Sequence, residues 1–295
     1  VKQYGFNGYD ANGGVTINDG TYTIASAVDT NCLVSVAGDS TKNAANIQIG
    51  ANRNVLAQKF VFQAVGDGCY TIRNVASGMM LDVNGGYQDP GTNVQQHIAN
   101  DGGAQLWMLE DAGDGYYRIK AKCNGLYLDL ANKSTAEGNN IQVYTGNKTD
   151  AQKWRLSVTD SLTDGVYYVC APSDTSYGLN VAGDSTENGA NIHMWTVRHP
   201  VAIQHNSDGY YTLRFLNSDK YLDIAGSGTT NGTNIIQWAD GTCENHKFLA
   251  IPNADGTYSF VGKCNGLYID RQGGGAPSNG QNVQCYVGNT SGAQS

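Results

Sequence analysis

Residues 114–154 read DGYYRIKAKCNGLYLDLANKSTAEGNNIQVYTGNKTDAQKW. The opening Asp-Gly dipeptide is a turn signal, because glycine adopts positive φ without strain. Apolar and polar residues then alternate at Tyr117-Arg118-Ile119 and at Leu128-Asp129-Leu130, which is the period of a strand with one buried face. A polar loop leads to Asn140-Ile141, and Gln152-Lys153-Trp154 closes the stretch. The pattern predicts four short strands and no helix.

The same stretch recurs along the whole chain of 295 residues. Each copy begins with Asp-Gly followed by Tyr at the fourth position, and successive copies start 44 to 50 residues apart. The six starts are Asp19, Asp67, Asp114, Asp164, Asp208 and Asp255. One unit cannot bury its apolar face alone, whereas three units around a pseudo-threefold axis can close into a barrel. Six units therefore predict an all-β chain of two three-unit domains.

Sequence identities between units three apart indicate duplication of a three-unit block. Units three and six share the segments KCNGLYLD at 122–129 and KCNGLYID at 263–270, and units one and four share VAGDST at 36–41 and 181–186. We expect the domains to span 19–159 and 160–295, with residues 1–18 forming a linker or an added strand. Unit six stops at Gln294-Ser295, one residue short of its closing aromatic residue, so we expect the chain to be covalently part of a larger protein.

Charge and cysteine spacing exclude several classes of function. The formal net charge is −8 and no Lys/Arg run occurs, which argues against a nucleic-acid partner. No basic amphipathic helix and no long apolar run is present, so we expect no membrane insertion. The seven cysteines include no C-x₂₋₄-C pair, so we expect free buried thiols and neither a metal site nor a cofactor.

The registered units resemble the ricin-B-type lectin family, the carbohydrate-binding β-trefoils. The features that carry the resemblance are the Leu-Asp-Val-like strand, the Gly-x-Asn-Ile/Val segment, the aromatic residue after it and the closing Gln-x-Trp, over roughly residues 19–295. The resemblance implies two β-trefoil domains with a shallow sugar pocket on each unit. It also implies that an Asp accepts hydrogen bonds from sugar hydroxyls, an aromatic ring stacks on the sugar and an Asn adds a further bond. Family members bind galactose-type sugars or xylan.

Carried over unit by unit, these roles fall on eleven residues. The complete sets are Asp82/His97/Asn100 in unit two, Asp129/Tyr144/Asn147 in unit three and Asp270/Tyr286/Asn289 in unit six. Unit five has Asp223 and Trp238, with Gly241 in the Asn position and Asp240 beside it as a possible substitute. We expect no binding at unit four, with Asn180, Trp195 and Arg198, or at unit one, with Ser35, Gly50 and Arg53.

The chemistry of sugars supports this assignment independently. A carboxylate accepts charge-assisted hydrogen bonds from adjacent hydroxyls, and a flat ring covers the apolar C–H face at small entropic cost. For a single Asp the simpler interpretation is a solvated or turn-capping carboxylate. We interpret Trp107, Trp154 and the six tyrosines after Asp-Gly as core, and the Asn before each Ile/Val as a structural loop closer.

An enzyme is disfavoured, because no facing pair of carboxylates and no histidine spacing of a metal site can be assigned. We expect a non-catalytic glycan-binding module of a secreted or cell-surface protein. The alternative is a protein-binding β-trefoil such as a protease inhibitor, which would place its specificity in one long divergent loop. The informative residues instead repeat in equivalent strands, which favours glycans or polysaccharides, of galactose type or xylan-like, as partners.

Overall fold

A computed structural model describes residues 14–100, 102–159, 162–253, 255–289 and 292–294. Its contacts divide the chain into two compact units between residues 160 and 161, one residue from the predicted boundary. Residues 1–13 of the predicted linker or added strand, and the pair 160–161 at the boundary, lie outside the described residues.

The described residues form short strands joined by tight turns and contain no α-helix. The strands are β1 (Gly20–Ser26), β2 (Cys32–Val36), β3 (Ile47–Ala51), β4 (Phe60–Ala64), β5 (Cys69–Asn74), β6 (Met80–Val83), β7 (Thr92–His97), β8 (Leu106–Gly113), β9 (Tyr116–Ala121), β10 (Tyr127–Leu130), β11 (Ile141–Tyr144), β12 (Trp154–Val158), β13 (Gly165–Tyr167), β14 (Cys170–Ala171), β15 (Asp174–Val181), β16 (Ile192–Trp195), β17 (Val201–His205), β18 (Tyr211–Phe215), β19 (Lys220–Ile224), β20 (Thr233–Trp238), β21 (Phe248–Pro252), β22 (Tyr258–Gly262), β23 (Tyr268–Arg271) and β24 (Gln281–Tyr286). Single 3₁₀ turns occur at Ala37–Asp39, Leu56–Gln58, Asn84–Gly86, Gly103–Gln105, Ala131–Lys133, Asp150–Gln152, Ala182–Asp184, Ala225–Ser227 and Glu244–His246. This confirms the predicted all-β fold.

The first domain follows the four-strand repeat in all three units. Its core collects the alternate apolar residues of every strand, and the closing aromatic residues Phe60, Trp107 and Trp154 are fully buried within it. Each indole donates to a backbone carbonyl, Trp107 Nε1 to Leu81 O and Trp154 Nε1 to Leu128 O, both at 3.0 Å. The prediction that these tryptophans are core is confirmed.

Residues just before the first unit also belong to this domain. Val15 and Ile17 are buried in its core, and Val15 N–H donates to Leu109 O. Ile17 N–H donates to the Tyr70 hydroxyl. Residues 14–18, the described part of the predicted linker or added strand, therefore pack against the first domain.

The second domain departs from the repeat at its two ends. Unit four has five strands, β13 to β17, and unit six has three, β22 to β24. In the first domain β1 pairs with both β4 and β12, whereas the described pairing of β13 is with β17 alone. Tyr167 and Tyr258 are half-buried and pack against the second-domain core, whereas the other four Asp-Gly tyrosines are fully part of the buried cores, so the prediction that all six are core is confirmed in full only for those four.

The repeated Asn residues meet at the pseudo-threefold axis. In the second domain they form a closed ring, in which Asn191 Nδ2 donates to Asn282, Asn282 Nδ2 to Asn234 and Asn234 Nδ2 to Asn191, at 2.8–3.0 Å. In the first domain Asn46 Nδ2 donates to Asn140 at 2.9 Å. The interpretation of these residues as structural is confirmed.

All seven cysteines are free thiols, but only three of them are buried as expected: Cys32, Cys69 and Cys285 are buried, Cys123, Cys170 and Cys264 are half-buried, and Cys243 is exposed. In the part of the chain that the structure describes, no helix has the length and apolar character needed to cross a membrane.

Candidate functional site

The predicted pocket of unit three contains a buried carboxylate. Asp129 lies in the middle of β10 and is only 4% exposed. Gln142 Nε2 on β11 donates to its Oδ1 and Gln152 Nε2 to its Oδ2, both at 3.0 Å. Each carboxylate oxygen has two lone-pair directions, so these two amides leave acceptor capacity on Asp129. Held by these two glutamines, the Asp129 side chain is not exposed to open solvent.

An exposed aromatic ring and an Asn loop stand beside this carboxylate. Tyr144, two residues after Gln142 on the same face of β11, is 42% exposed. Asn147 Oδ1 accepts from Thr149 N–H, and Asn147 N–H donates to Gln152 Oε1 at 2.9 Å. Gly146 permits this loop to fold back, because a Cβ at that position would lie 2.7 Å from the Tyr127 ring.

Burial raises the pKa of Asp129 above its ordinary value, and the hydrogen bonds from Gln142 and Gln152 oppose that rise only in part. The donors are neutral amides, so no cation offsets the loss of hydration. A hydroxyl donor from a ligand would bring the carboxylate a further charge-assisted hydrogen bond.

Unit two repeats the arrangement with one weaker member. Gln95 Nε2 and Gln105 Nε2 donate to Asp82 at 2.9 and 3.1 Å. His97 takes the aromatic position, half-buried, with Nδ1 3.0 Å from Ile98 O. Asn100 Oδ1 accepts from Gly102 N–H, as Asn147 does in its own loop.

Unit six keeps the three predicted residues, but fewer hydrogen bonds hold its carboxylate. Gln284 Nε2 donates to Asp270 at 3.0 Å. Gln294 Nε2 donates to Val287 O, and Asn289 N–H donates to Gln294 Oε1. A second amide donor to Asp270 is not found among the described residues. Tyr286 is half-buried at the end of β24.

Unit five holds its carboxylate differently. Asn245 Nδ2 donates to Asp223 at 2.6 Å, and His246 Nε2 lies 2.8 Å from the same oxygen in a direction unsuited to a hydrogen bond. Trp238 is 45% exposed. Asp240 Oδ1 accepts from Thr242 N–H, and this bond together with the one from the Thr242 side chain lowers the pKa of Asp240. The Asp240 side chain thus caps its turn as Asn147 does, by accepting from the backbone N–H two residues later.

Unit one lacks both the carboxylate and the aromatic ring, and charged side chains lie near the corresponding positions. Ser35 is buried on β2, and a Cβ on Gly50 would lie 2.8 Å from Glu137 Oε1. Arg53 forms a two-pronged ion pair with Asp39 at 2.6 and 2.8 Å.

Unit four replaces the carboxylate with an amide. His193 Nε2 lies 2.8 Å from Asn180 Oδ1. The His193 ring stacks on Trp195 at 5.2 Å, and Arg198 lies over the Tyr168 ring instead of facing Asn180. His199, in the position of the closing Gln, accepts at Nδ1 from Val181 N–H.

A loop from the neighbouring unit borders most of these pockets. In the second domain three Asn side chains each accept a hydrogen bond from a backbone N–H of the next unit, where unit four follows unit six. That N–H belongs to the residue immediately after the aromatic position. These contacts are Asn188 with Ala239 N–H, Asn231 with Val287 N–H and Asn279 with Thr196 N–H, at 2.7–2.9 Å. In the first domain Asn43 reaches Ile98 N–H and Glu137 reaches Ala51 N–H in the same way. Each of these pockets therefore depends on two units.

Sequence reasoning missed the glutamines that hold the carboxylates. Gln95, Gln142 and Gln284 each stand two residues before the aromatic position, on the same strand face. The period of two could have identified them, because residues i and i+2 of a strand share a face. The closing Gln105 and Gln152 also donate hydrogen bonds to the Asp of their own unit.

The described residues contain no cluster of three or more His, Cys, Asp or Glu side chains that could hold a metal ion. The four site carboxylates lie in separate units, each held by side chains of its own unit, with amide donors in every case. This arrangement provides four separate hydrogen-bonding sites.

Comparison with known proteins places this geometry in context. A family model described as ricin-type β-trefoil lectin domain-like matches residues 9–97, 56–144, 103–195 and 194–286. Among solved structures, the designed threefold-symmetric protein ThreeFoil is 34% identical over 47% of this chain and 98% of its own, with a TM-score of 0.46. An exo-β-1,3-galactanase from Clostridium thermocellum is 30% identical over 49% of this chain and 31% of its own, with a TM-score of 0.46.

A ricin B-like lectin from Macrolepiota procera, solved in complex with lactose, is 20% identical over 49% of this chain and 99% of its own, with a TM-score of 0.43. No curated protein matches the chain.

Proposed function

The chain belongs to the ricin-type β-trefoil lectin family, and from this premise we propose that it binds glycans, without cleaving them, through several shallow pockets. Units three and six bind most strongly, units two and five more weakly, and units one and four do not bind. The ligands are galactose-type or xylan-like sugars, and the chain serves as the glycan-targeting module of a larger secreted or surface protein.

The observation that carries this proposal is the unit-three group of Asp129, Gln142 and Gln152 beside the exposed Tyr144. The two amides fix the carboxylate, and the ring stands two residues along the same strand face from Gln142. This combination suits a molecule with adjacent hydroxyls on one side and an apolar C–H face on the other. The same combination recurs around Asp82, which a single turn-capping carboxylate would not explain.

The experiment is a glycan array on residues 1–295, followed by site-resolved titration of the best monosaccharide by NMR. Asp129→Ala should weaken binding at unit three by about 1.5–3 kcal/mol, a factor of roughly 10 to 150, because a hydrogen bond to a charged group is lost. Ser35→Ala, at the equivalent place in unit one, is the matched control and should leave every pocket unchanged.

Binding at unit three that survives Asp129→Ala would remove this residue from the site. An array without any bound glycan, combined with capture of a protease, would favour the protein-binding alternative. Turnover of a bound polysaccharide that one Asp substitution abolishes would contradict the non-catalytic proposal. Recovery of the parent protein inside cells only would contradict the secreted or surface location.

A further inference from the structure

Unit two carries an exposed aromatic ring that the predicted sugar pocket does not include. Tyr87 follows the single turn Asn84–Gly86, five residues after Asp82, and is 62% exposed. The corresponding positions of the other units hold Ser40, Ser134, Ser185, Gly228 and Gly275. A ring at this position is therefore a property of unit two alone among the six units.

Hydrogen bonds fix the backbone on both sides of Tyr87. Its carbonyl oxygen accepts from Asn124 Nδ2, and Gln88 Nε2 donates to Gly86 O, both at 2.9 Å. One side of the ring packs on the turn, because a Cβ on Gly85 would lie 2.7 Å from Tyr87 Cε2. A ring that is held in place before a ligand arrives adds contact area at small entropic cost.

Beside this ring, unit two has glycines where unit three has an ion pair. In unit three Lys133 Nζ lies 3.2 Å from Asp150 Oδ2, and the pair joins the turn after the site strand to the closing turn. Gly86 stands at the position of Lys133, and Gly103 stands at the position of Asp150. Glycine brings no side chain to either place. The last residue of the first turn also contacts another side chain in units one and four, Asp39 with Arg53 and Asp184 with His199.

The glycine surface, formed by Gly86 and Gly103, lies between Tyr87 and the carboxylate of unit two. Gly86 is next to the closing turn, because a Cβ there would be 3.8 Å from Ala104 Cβ. Gln105, the residue after Ala104, donates to Asp82 Oδ2 at 3.1 Å. A ligand longer than one sugar ring can therefore reach from the carboxylate over the glycine surface to the tyrosine.

We propose that Tyr87 determines specificity at unit two by holding the second residue of an oligosaccharide whose first residue lies at Asp82. This inference rests on the proposed function, since it requires a sugar at Asp82. It adds the ligand class, which is a linear chain of sugars with apolar C–H faces rather than a single terminal sugar. The second sugar crosses the glycine surface and stacks on the exposed side of the Tyr87 ring. In unit three the ion pair between the two turns closes the same route.

The test is a site-resolved NMR titration of residues 1–295 with xylose and xylobiose and, in parallel, with galactose and galactobiose. We expect the affinity at unit two, followed at the backbone amides of residues 84–88 and at His97, to rise about tenfold from monosaccharide to disaccharide. The affinity at unit three should stay nearly the same. Tyr87→Ser, which installs the residue found in units one, three and four, should abolish the rise and leave the monosaccharide affinity at unit two unchanged.

Tyr87→Phe retains the ring and should retain the rise at unit two. Ser134→Ala, at the matching place in unit three, is the control and should leave both titrations unchanged. A rise that survives Tyr87→Ser, or an equal rise at unit three, would overturn this inference and leave the proposed function intact. If neither sugar series affected unit two, both this inference and the proposed binding at that unit would be overturned.

Discussion

At the scale of single residues, the site depends on carboxylates that are buried but incompletely compensated. Asp129 has two neutral donors and almost no contact with water. Such a group is costly to bury, and the cost is reduced when a ligand hydroxyl adds a third donor. The proposed role of Asp129 therefore links the cost of burying its carboxylate to ligand binding.

The raised pKa of Asp129 predicts a pH-dependent affinity at unit three. Only the carboxylate accepts two hydroxyl donors fully, so binding should weaken as pH falls through this pKa, above the value of about 4 usual for Asp. Site-resolved titration from pH 7 to pH 4 measures this. Asp129→Asn, which cannot ionise, is the control and should bind weakly at every pH.

The raised pKa of Asp129 also determines how its contribution to the free energy of unfolding changes with pH. The folded protein holds this proton more tightly than the unfolded chain, so the contribution of Asp129 to stability is greatest below the unfolded pKa. It is lost as pH rises through the folded pKa. The free energy of unfolding of Asp129→Asn, relative to that of the native protein, should therefore increase as pH rises from the unfolded to the folded pKa of Asp129. The opposite trend would show that the pKa is lowered by folding.

The sequence was sufficient to predict where the site Asp residues stand but not how they are held. Their place follows from strand alternation, which is a local property. Their burial follows from glutamines 13 to 23 residues away, such as Gln142 and Gln152 around Asp129. That arrangement is set by the pairing of β10 with β11 and by the fold of the closing turn.

At the scale of elements, contacts between neighbouring units border five of the six unit surfaces among the described residues, all except that of unit three. Asn231 belongs to the loop of unit five, yet its side chain accepts from Val287 N–H immediately after Tyr286 of unit six. Asn188 in unit four has the same relation to Ala239, next to Trp238 of unit five.

Asn231→Ala should therefore weaken sugar binding at unit six and leave unit five unchanged. Loss of one exposed hydrogen bond, worth about 0.5–1.5 kcal/mol, should lower the affinity at unit six by a factor of roughly two to ten. Asn188→Ala is the matched control, with its effect at unit five instead. Hydrogen exchange at Val287 and Ala239 should accelerate in the respective variants, and an effect confined to the mutated unit would contradict this dependence.

The amide ring around the axis of the second domain predicts a larger effect on stability. Asn191→Ala removes the donor to Asn282 and the acceptor of Asn234 together. We expect a loss of about 1–3 kcal/mol in the free energy of unfolding of that domain, because partly buried groups are left without partners. Urea denaturation measures it, with Asn188→Ala as a nearby exposed control, and equal stabilities of the two variants would contradict a structural role for the ring.

At the scale of the whole molecule, the regular repeat predicts the first domain well and the second less well. Turn signals and alternation define the strands of units one to three because every unit there is complete. The half-burial of Tyr167 and Tyr258 could not be anticipated from their own unit sequences, because these carry the same Asp-Gly signal as the units whose tyrosines are buried. Burial in a barrel is decided by neighbours that are distant in sequence.

The proposed set of several weak pockets on one chain predicts avidity. A few hydrogen bonds and one stacked ring barely exceed the cost of association, while linkage of sites adds roughly 10²–10⁴-fold. Asp129→Ala and Asp270→Ala should each reduce binding to a polyvalent glycan in part, and the double variant should nearly abolish it while remaining folded. Titration with monovalent and polyvalent forms of one sugar measures this, and a double variant that binds like the native protein would contradict the site assignment.

The loop contacts between units also bear on how such a chain can evolve. A substitution in one loop alters the pocket of the next unit, so a single unit copied alone would arrive beside neighbours that do not match its loop. Copying three units together preserves every neighbouring pair. The identities between units three apart, such as those at 122–129 and 263–270, are expected if three units were duplicated together. Three units are the smallest block in which every loop keeps the neighbouring unit that it contacts.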